Sequence, residues 1–198
     1  MKHLIAALAL CLAALPAASD ERLSLPALSD YLDTITEAEA RFTQVNADGS
    51  RLTGTLFIKR PGRIRFEYDP PQEETLVLAS GGQIAVFDGR ASGTPEQFPL
   101  RRTPLGIILA RDIDLTRARM VTGHGMDAGR TVVQAQDPDN PEYGRIYLYF
   151  EHDPVRLSEW LIVSGGGEQT RTRLEPFRTR DDLGDVMFSI QLEMQARQ

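Results

Sequence analysis

The chain has 198 residues, 41% of them hydrophobic, and carries 22 lysines and arginines against 28 acids for a net charge of −6. An acidic chain with arginine and glutamate interspersed excludes general nucleic-acid binding, which needs a basic face to neutralise phosphates. A single cysteine, Cys11, excludes an internal disulfide framework.

Met1 to Ser19 read as an address. Lys2 and His3 give a polar start, Leu4 to Leu15 an apolar run too short to span a bilayer, and Pro16-Ala17-Ala18-Ser19 a small-residue exit. This predicts a cleavable secretory signal over residues 1–19, cut after Ala18 or Ser19, and a single exported domain over residues 20–198. Cys11 follows the bulky Leu10, where lipoprotein signals resemble one another in having a small residue, so a lipid-anchored form is not expected. Cleavage would leave about 179 residues, no cysteine and a net charge of −7. That length suffices for one domain burying roughly two thirds of its unfolded surface.

After the signal, Leu28, Tyr31, Leu32 and Ile35 fall at i, i+3, i+4 and i+7, the stripe of a short amphipathic helix begun by Ser24 or Pro26. The period then changes to alternation. Ala38, Ala40 and Phe42 share one face of a strand that ends at the Asn46-Ala47-Asp48-Gly49 turn. Further strands are predicted over Arg51–Lys59, Arg63–Asp69, Thr75–Ser80 and Gln83–Asp88. The hairpin from Gly54 to Pro71 organises this half. Leu56 and Ile58 share one strand face, Ile64, Phe66 and Tyr68 another, and Pro61-Gly62 bends the chain between them. The side carrying Arg63, Arg65 and Glu67 reads as facing water.

Asp88 to Arg102 breaks the rhythm and reads as a surface loop touching the core through Phe98. Thr103-Pro104 then looks like an N-cap with proline at the first helical position. The helix it starts, Leu105 to Arg111, is apolar almost all round, so it must be buried on most of its surface. Strands resume over Arg117–Val121, Arg130–Gln136, Arg145–Phe150, Leu157–Val163, Glu168–Phe177 and Val186–Leu192, separated by glycine and proline turns such as Gly123-His124-Gly125. The fold class that follows is mainly β with helices: an incomplete antiparallel barrel of about ten to eleven strands in a meander, covered by a short helical lid.

Residues that carry chemistry are few. His124 and His152 both look like turn residues, and no nucleophile–base pair, phosphate loop or zinc-ligand spacing appears. Asp137-Pro138-Asp139-Asn140 lacks the pattern of a dedicated calcium loop. No catalysis, cofactor or metal is expected. What the chain offers is apolar surface on strands and helices, which makes either a filled core or a cavity for hydrocarbon, and by itself favours the filled core, because most apolar stripes are simply core.

Phe57-Ile58-Lys59-Arg60-Pro61-Gly62-Arg63-Ile64-Arg65-Phe66-Glu67-Tyr68-Asp69-Pro70-Pro71 resembles the signature hairpin of the LolA family, the periplasmic carriers of outer-membrane lipoproteins. Phe42-Thr43-Gln44 resembles that family's first strand, the Ser80–Asp88 segment its glycine turn and following strand, and Thr103–Arg111 its central helix. The likeness is good from about Leu25 to Arg111. Familiar members often carry tryptophan where Phe66 and Val86 or Phe87 stand here.

The resemblance implies a curved barrel whose interior takes the acyl chains of lipoproteins handed over by the inner-membrane Lol ABC transporter, in the periplasm of a Gram-negative bacterium. An outer-membrane lipoprotein receptor is a further partner it suggests, and a monomer is expected. Arg60 matches the family's latch arginine, which holds the lid through helix carbonyls. Leu56, Ile58, Ile64, Phe66 and Phe87 become the expected acyl-chain lining, and Leu105, Ile107, Ile108 and Leu109 the lid. The readings kept beside it are a lipid-sensing module of the same fold, a small periplasmic lipid-modifying enzyme, and a sheet protein with a solid core.

Overall fold

The computed structural model describes residues 22–89, 94–103 and 105–198; the predicted signal with Cys11, and Pro104, lie outside the described residues. Helix α1 (Leu25–Asp33) comes first, then strands β1 (Glu37–Val45), β2 (Arg51–Lys59), β3 (Arg63–Tyr68), β4 (Leu76–Ser80), β5 (Gln83–Phe87) and β6 (Glu96–Pro99). A four-residue helix, α2 (Leu105–Ile108), leads to β7 (Val121–Asp127), β8 (Arg130–Gln136), β9 (Gly144–His152), β10 (Val155–Ser164), β11 (Gln169–Leu174), the two-residue β12 (Arg178–Thr179) and helix α3 (Ile190–Ala196).

The strands form one antiparallel sheet in the order β6-β5-β4-β3-β2-β1-β11-β10-β9-β8-β7, with β12 also on β1. Two meanders are joined where β1 meets β11, Phe42 opposite Leu174. Ile84 and Val86 of β5 line the same cleft as Ile146 of β9, although six strands stand between β5 and β9, so the sheet curls toward a barrel whose edges β6 and β7 stay unpaired. This is the mainly β, incomplete barrel that the strand rhythm predicts.

Alternation explains which face is inside. Leu56 opposite Phe66 and Ile58 opposite Ile64 set the hairpin register, and a slip of one residue would turn all four outward. Phe42 packs edge-on against Phe66 at 5.4 Å and Tyr68 at 5.3 Å, and Phe66 reaches Trp160 at 6.0 Å, which links the two meanders across the interior. On the inner face α1 contributes Leu28 and Leu32, with Ser24 as its N-cap accepting from the Ala27 N–H at 3.3 Å. On the outer face of β4 and β5, Leu76, Leu78, Ala85 and Phe87 form a second, smaller core with Leu183 and Phe188 under α3.

Several expectations are corrected. The 88–102 loop contains β6 and a 3-10 turn over Leu100–Arg102, and it enters the core through Leu100, 7% exposed, while Phe98 stands 47% exposed. The Thr103 hydroxyl donates back to the Leu100 carbonyl at 2.9 Å, and the helix that follows is one turn long. Residues 117–120 are turns, because the Asp114 carboxylate accepts from the Thr116 and Arg117 N–H groups at 2.9 and 3.2 Å; the strand is β7, which runs through Gly123-His124-Gly125. The C-terminal segment is helical: Asp185–Phe188 is a 3-10 turn, and Ser189 caps α3 by accepting from the Leu192 N–H at 3.2 Å. The Arg63 and Arg65 side of the hairpin is covered by this segment. Arg63 pairs with Asp185 at 2.8 Å, Arg65 donates to the Met187 carbonyl at 2.8 Å, and Lys59 binds Asp185 at 2.9 Å and the Leu183 carbonyl.

Candidate functional site

The turn that ends β2 places Arg60 between α1 and the segment that follows α2. Its own N–H donates to the Thr36 carbonyl at 2.7 Å, and the Gly62 N–H donates to the Leu109 carbonyl at 2.8 Å. The Arg60 side chain is 4% exposed. Nε donates to the Ala110 carbonyl at 2.8 Å, Nη1 to Leu32 at 2.6 Å and Ile35 at 3.4 Å, and Nη2 to Asp33 Oδ1 at 2.6 Å and the Arg111 carbonyl at 2.9 Å. Five donors therefore meet five acceptors on two segments far apart in sequence. A planar fork with a permanent charge suits the task, and the last carbonyls of α1 favour a cation there.

Two further ties join the same segments. Asp33 Oδ1 also accepts from the Ile113 N–H at 3.2 Å. The Ser29 hydroxyl, 7% exposed, accepts from the Leu115 N–H at 3.0 Å while donating to the Leu25 carbonyl at 2.8 Å. Sequence reasoning missed Ser29, Asp33, Ile113 and Leu115. The signal that could have found the last two is the alternation Asp112-Ile113-Asp114-Leu115, which puts both apolar side chains on one side.

The segment these ties hold down fills the sheet's inner face. Ile107, Ile108, Leu109, Ile113 and Leu115 are buried against Leu56, Ile58, Ile64 and Phe66, and Leu105 packs at the margin. Eight of the nine predicted lining and lid residues are thus brought together. Phe87 stands apart, on the outer face with Leu76 and Phe188. Beside Leu105 the barrel stays open. A cleft of about 910 Å³ lies between Ile84, Val86 and Phe98 on one wall and Ile146, Ile162 and Tyr143 on the other, with Arg102, Glu142 and Arg145 at its rim.

Neither histidine is a simple turn residue. His124 Nε2 lies 2.8 Å from the Leu23 carbonyl, and His152 Nε2 lies 2.9 Å from the Thr131 hydroxyl, which accepts from the Leu23 N–H at 2.8 Å. Both fasten the lead into α1. Asp137 accepts from the Asp139 N–H and the Asn140 amide, each at 2.9 Å, so its oxygens serve a turn, and the Asn140 amide holds its carboxyl below the usual range. Among the described residues no group of three histidines, cysteines or acids could hold a metal ion, and no helix is long and apolar enough to cross a membrane.

Comparison with known proteins identifies the family. A protein named outer-membrane lipoprotein carrier protein from Alkalilimnicola ehrlichii is 30% identical over 210 aligned positions, covering 93% of this chain and 87% of that one. One of the same name from Methylococcus capsulatus is 24% identical, covering 81% and 80%. Another, from Azotobacter vinelandii, is 38% identical over 78 residues, or 37% of each chain. Among solved structures, a LolA superfamily protein from Nitrosomonas europaea covers 84% of this chain and 98% of its own at 12% identity and a TM-score of 0.45. The family model described as "Outer membrane lipoprotein carrier protein LolA" matches residues 33–191, and the chain belongs to the LolA family.

Proposed function

We propose that this protein binds the acyl chains of lipoproteins released from the inner membrane and carries them through the periplasm to the outer membrane. Residues 1–19 serve as the export signal and are removed; residues 20–198 work as one carrier domain and as a monomer. The cargo comes from the Lol ABC transporter and passes to an acceptor at the outer membrane. The chain binds and hands on, making and breaking no covalent bond. The names of its relatives support this reading, and the observation that carries it is the guanidinium of Arg60 spanning α1 and the 109–111 segment.

The energetics explain why a latch is needed. A buried methylene is worth about 0.8 kcal/mol, so one chain of about fifteen exposes on the order of 12 kcal/mol of unfavourable contact in water. Binding that strong would never release. Here the lid side chains Ile107, Ile108 and Leu109 occupy the inner face themselves, each worth about 1.5–3 kcal/mol when buried. A hydrocarbon that enters must displace them, and the five bonds of Arg60 add to the cost. The gain on binding is offset by the lid, which leaves an affinity that can be reversed. Cargo shifts the lid only through its differential affinity for the two positions.

Arg60→Leu tests this. It removes the latch and keeps apolar volume, so the expected result is a folded protein that takes up a fluorescent fatty acid more tightly and passes lipopeptide to acceptor vesicles more slowly. A variant with unchanged uptake and unchanged transfer would sink the latch.

A further inference from the structure

Among the described residues no helix covers the outer face of the second meander, which is organised around a buried acid. Glu159 on β10 is 2% exposed and is met by the guanidinium of Arg171, by Arg173 Nε at 3.0 Å and by Arg130 at 3.7 Å. A buried carboxylate demands partners, but one carboxylate neutralises one cation. Register puts Glu159 opposite both Tyr149 and Arg173, and Leu161 opposite both Tyr147 and Arg171, so these side chains share one face. Arg130 lies over the Tyr149 ring at 4.5 Å and Arg145 over Tyr147 at 5.8 Å. The arginine stems shelter the small cluster Tyr149, Leu161 and Val163, which no helix residue joins.

The charges on this face do not cancel. Four arginines stand against Glu159 and Asp127, the latter opposite Arg130 in register, while the nearby Glu151 is matched by its own Arg156 at 2.7 Å. The local excess is two positive charges on a chain of net charge −6. Among the described residues the Arg145 side chain makes no hydrogen bond, and the Arg173 side chain makes one, through Nε, and is 68% exposed. Arg145 also stands at the rim of the 910 Å³ cleft, so this face and the cleft are continuous.

We propose that the outer face of β8 to β11, carrying Arg130, Arg145, Arg171 and Arg173 between Tyr147 and Tyr149, docks on membrane surfaces rich in anionic phospholipid. Charge complementarity selects the phosphates. Tyrosines beside arginines suit the headgroup zone, where amphipathic rings settle. Docking in this way sets the cleft beside the lipid surface through Arg145. The binding stands on the charges alone; its use, presenting the cleft for loading or unloading, rests on the carrier reading above.

The test is flotation of the protein purified from the periplasm with vesicles of phosphatidylglycerol and phosphatidylethanolamine in about equal parts, against vesicles of phosphatidylcholine alone. Binding to the anionic vesicles is expected at low salt and is lost as salt screens the face. Arg130→Gln together with Arg173→Gln keeps Arg171 on Glu159 and lies outside latch and cleft. It should weaken vesicle binding about thirtyfold, each charge near an anionic surface counting for about fivefold. Gln169→Lys, which adds a cation opposite Val163 on the same face, should strengthen it about fivefold. Equal binding to neutral vesicles, or no response to either variant, overturns the proposal. So does saturable binding of inorganic phosphate without vesicle binding, which would make the face a small-anion site. Fatty-acid uptake measured on the same samples keeps the two readings apart, because its absence in the unaltered protein would refute the carrier and leave the vesicle result standing.

Discussion

In the proposed latch, Arg60 and Asp33 hold the 105–111 segment unequally. The arginine is 4% exposed and the aspartate 44%, so their ion pair is partly screened and worth about 1 kcal/mol at most, while the guanidinium also supplies four bonds to backbone carbonyls. Asp33→Asn keeps an oxygen for the Ile113 N–H and loses the charge. Its fatty-acid affinity should rise by no more than about fivefold, with Arg60→Leu moving it further; titration of one fluorescent probe into both variants checks the order. The arginine itself was legible because it sits in a short motif beside a turn. Its acceptors were not, since four of the five are main-chain oxygens that no residue type announces.

At the scale of elements, alternation marks strands well where one face is buried. β2 and β8 have the bounds that their patterns predict, and α1 begins at its capping serine. Where the pattern failed, a competing local feature decided. Two glycines hid β7, the Asp114 carboxylate turned residues 116–117, and Ser189 started a helix in a stretch whose Val186 and Phe188 alternate. Gly54 in β2 shows the opposite case, a strand glycine with a steric reason. A β-carbon there would lie 2.1 Å from the Glu67 carbonyl oxygen and 2.6 Å from the Phe42 ring. Gly54→Ala must therefore push β3 or the ring aside. It should cost about 2–3 kcal/mol and lower Tm by roughly 5–10 °C, read from a thermal melt.

For the whole molecule, the outer surface divides into a half covered by α3 and a half covered by arginines, and composition alone gave no hint of that division. A charge network at the β1–β2–β3 end also contributes to the acid sensitivity of the fold. Asp69 is held at about 2 by hydrogen bonds from Arg41 first and Thr53 second. Its carboxyl is depressed on folding, so the stability it contributes is present above the unfolded value of about 3.9 and drains away as pH falls through about 2. Urea midpoints measured across that interval should fall steeply for the native sequence and less steeply for Asp69→Asn, which starts lower because Arg41 has lost its partner.

In the proposed carrier the lid catch closes on main chain. Arg60 grips the carbonyls of Leu32, Ile35, Ala110 and Arg111, which every residue type supplies, so the side chains of the lid can change without loosening it. Under the proposed function, locking and selectivity would rest on separate atoms. On the carrier reading proposed above, variants of Ile107, Ile108 or Leu109 would retune which hydrocarbon is accepted, generation after generation, while opening would stay with one arginine, and a designer could exchange the lining without redesigning the clasp.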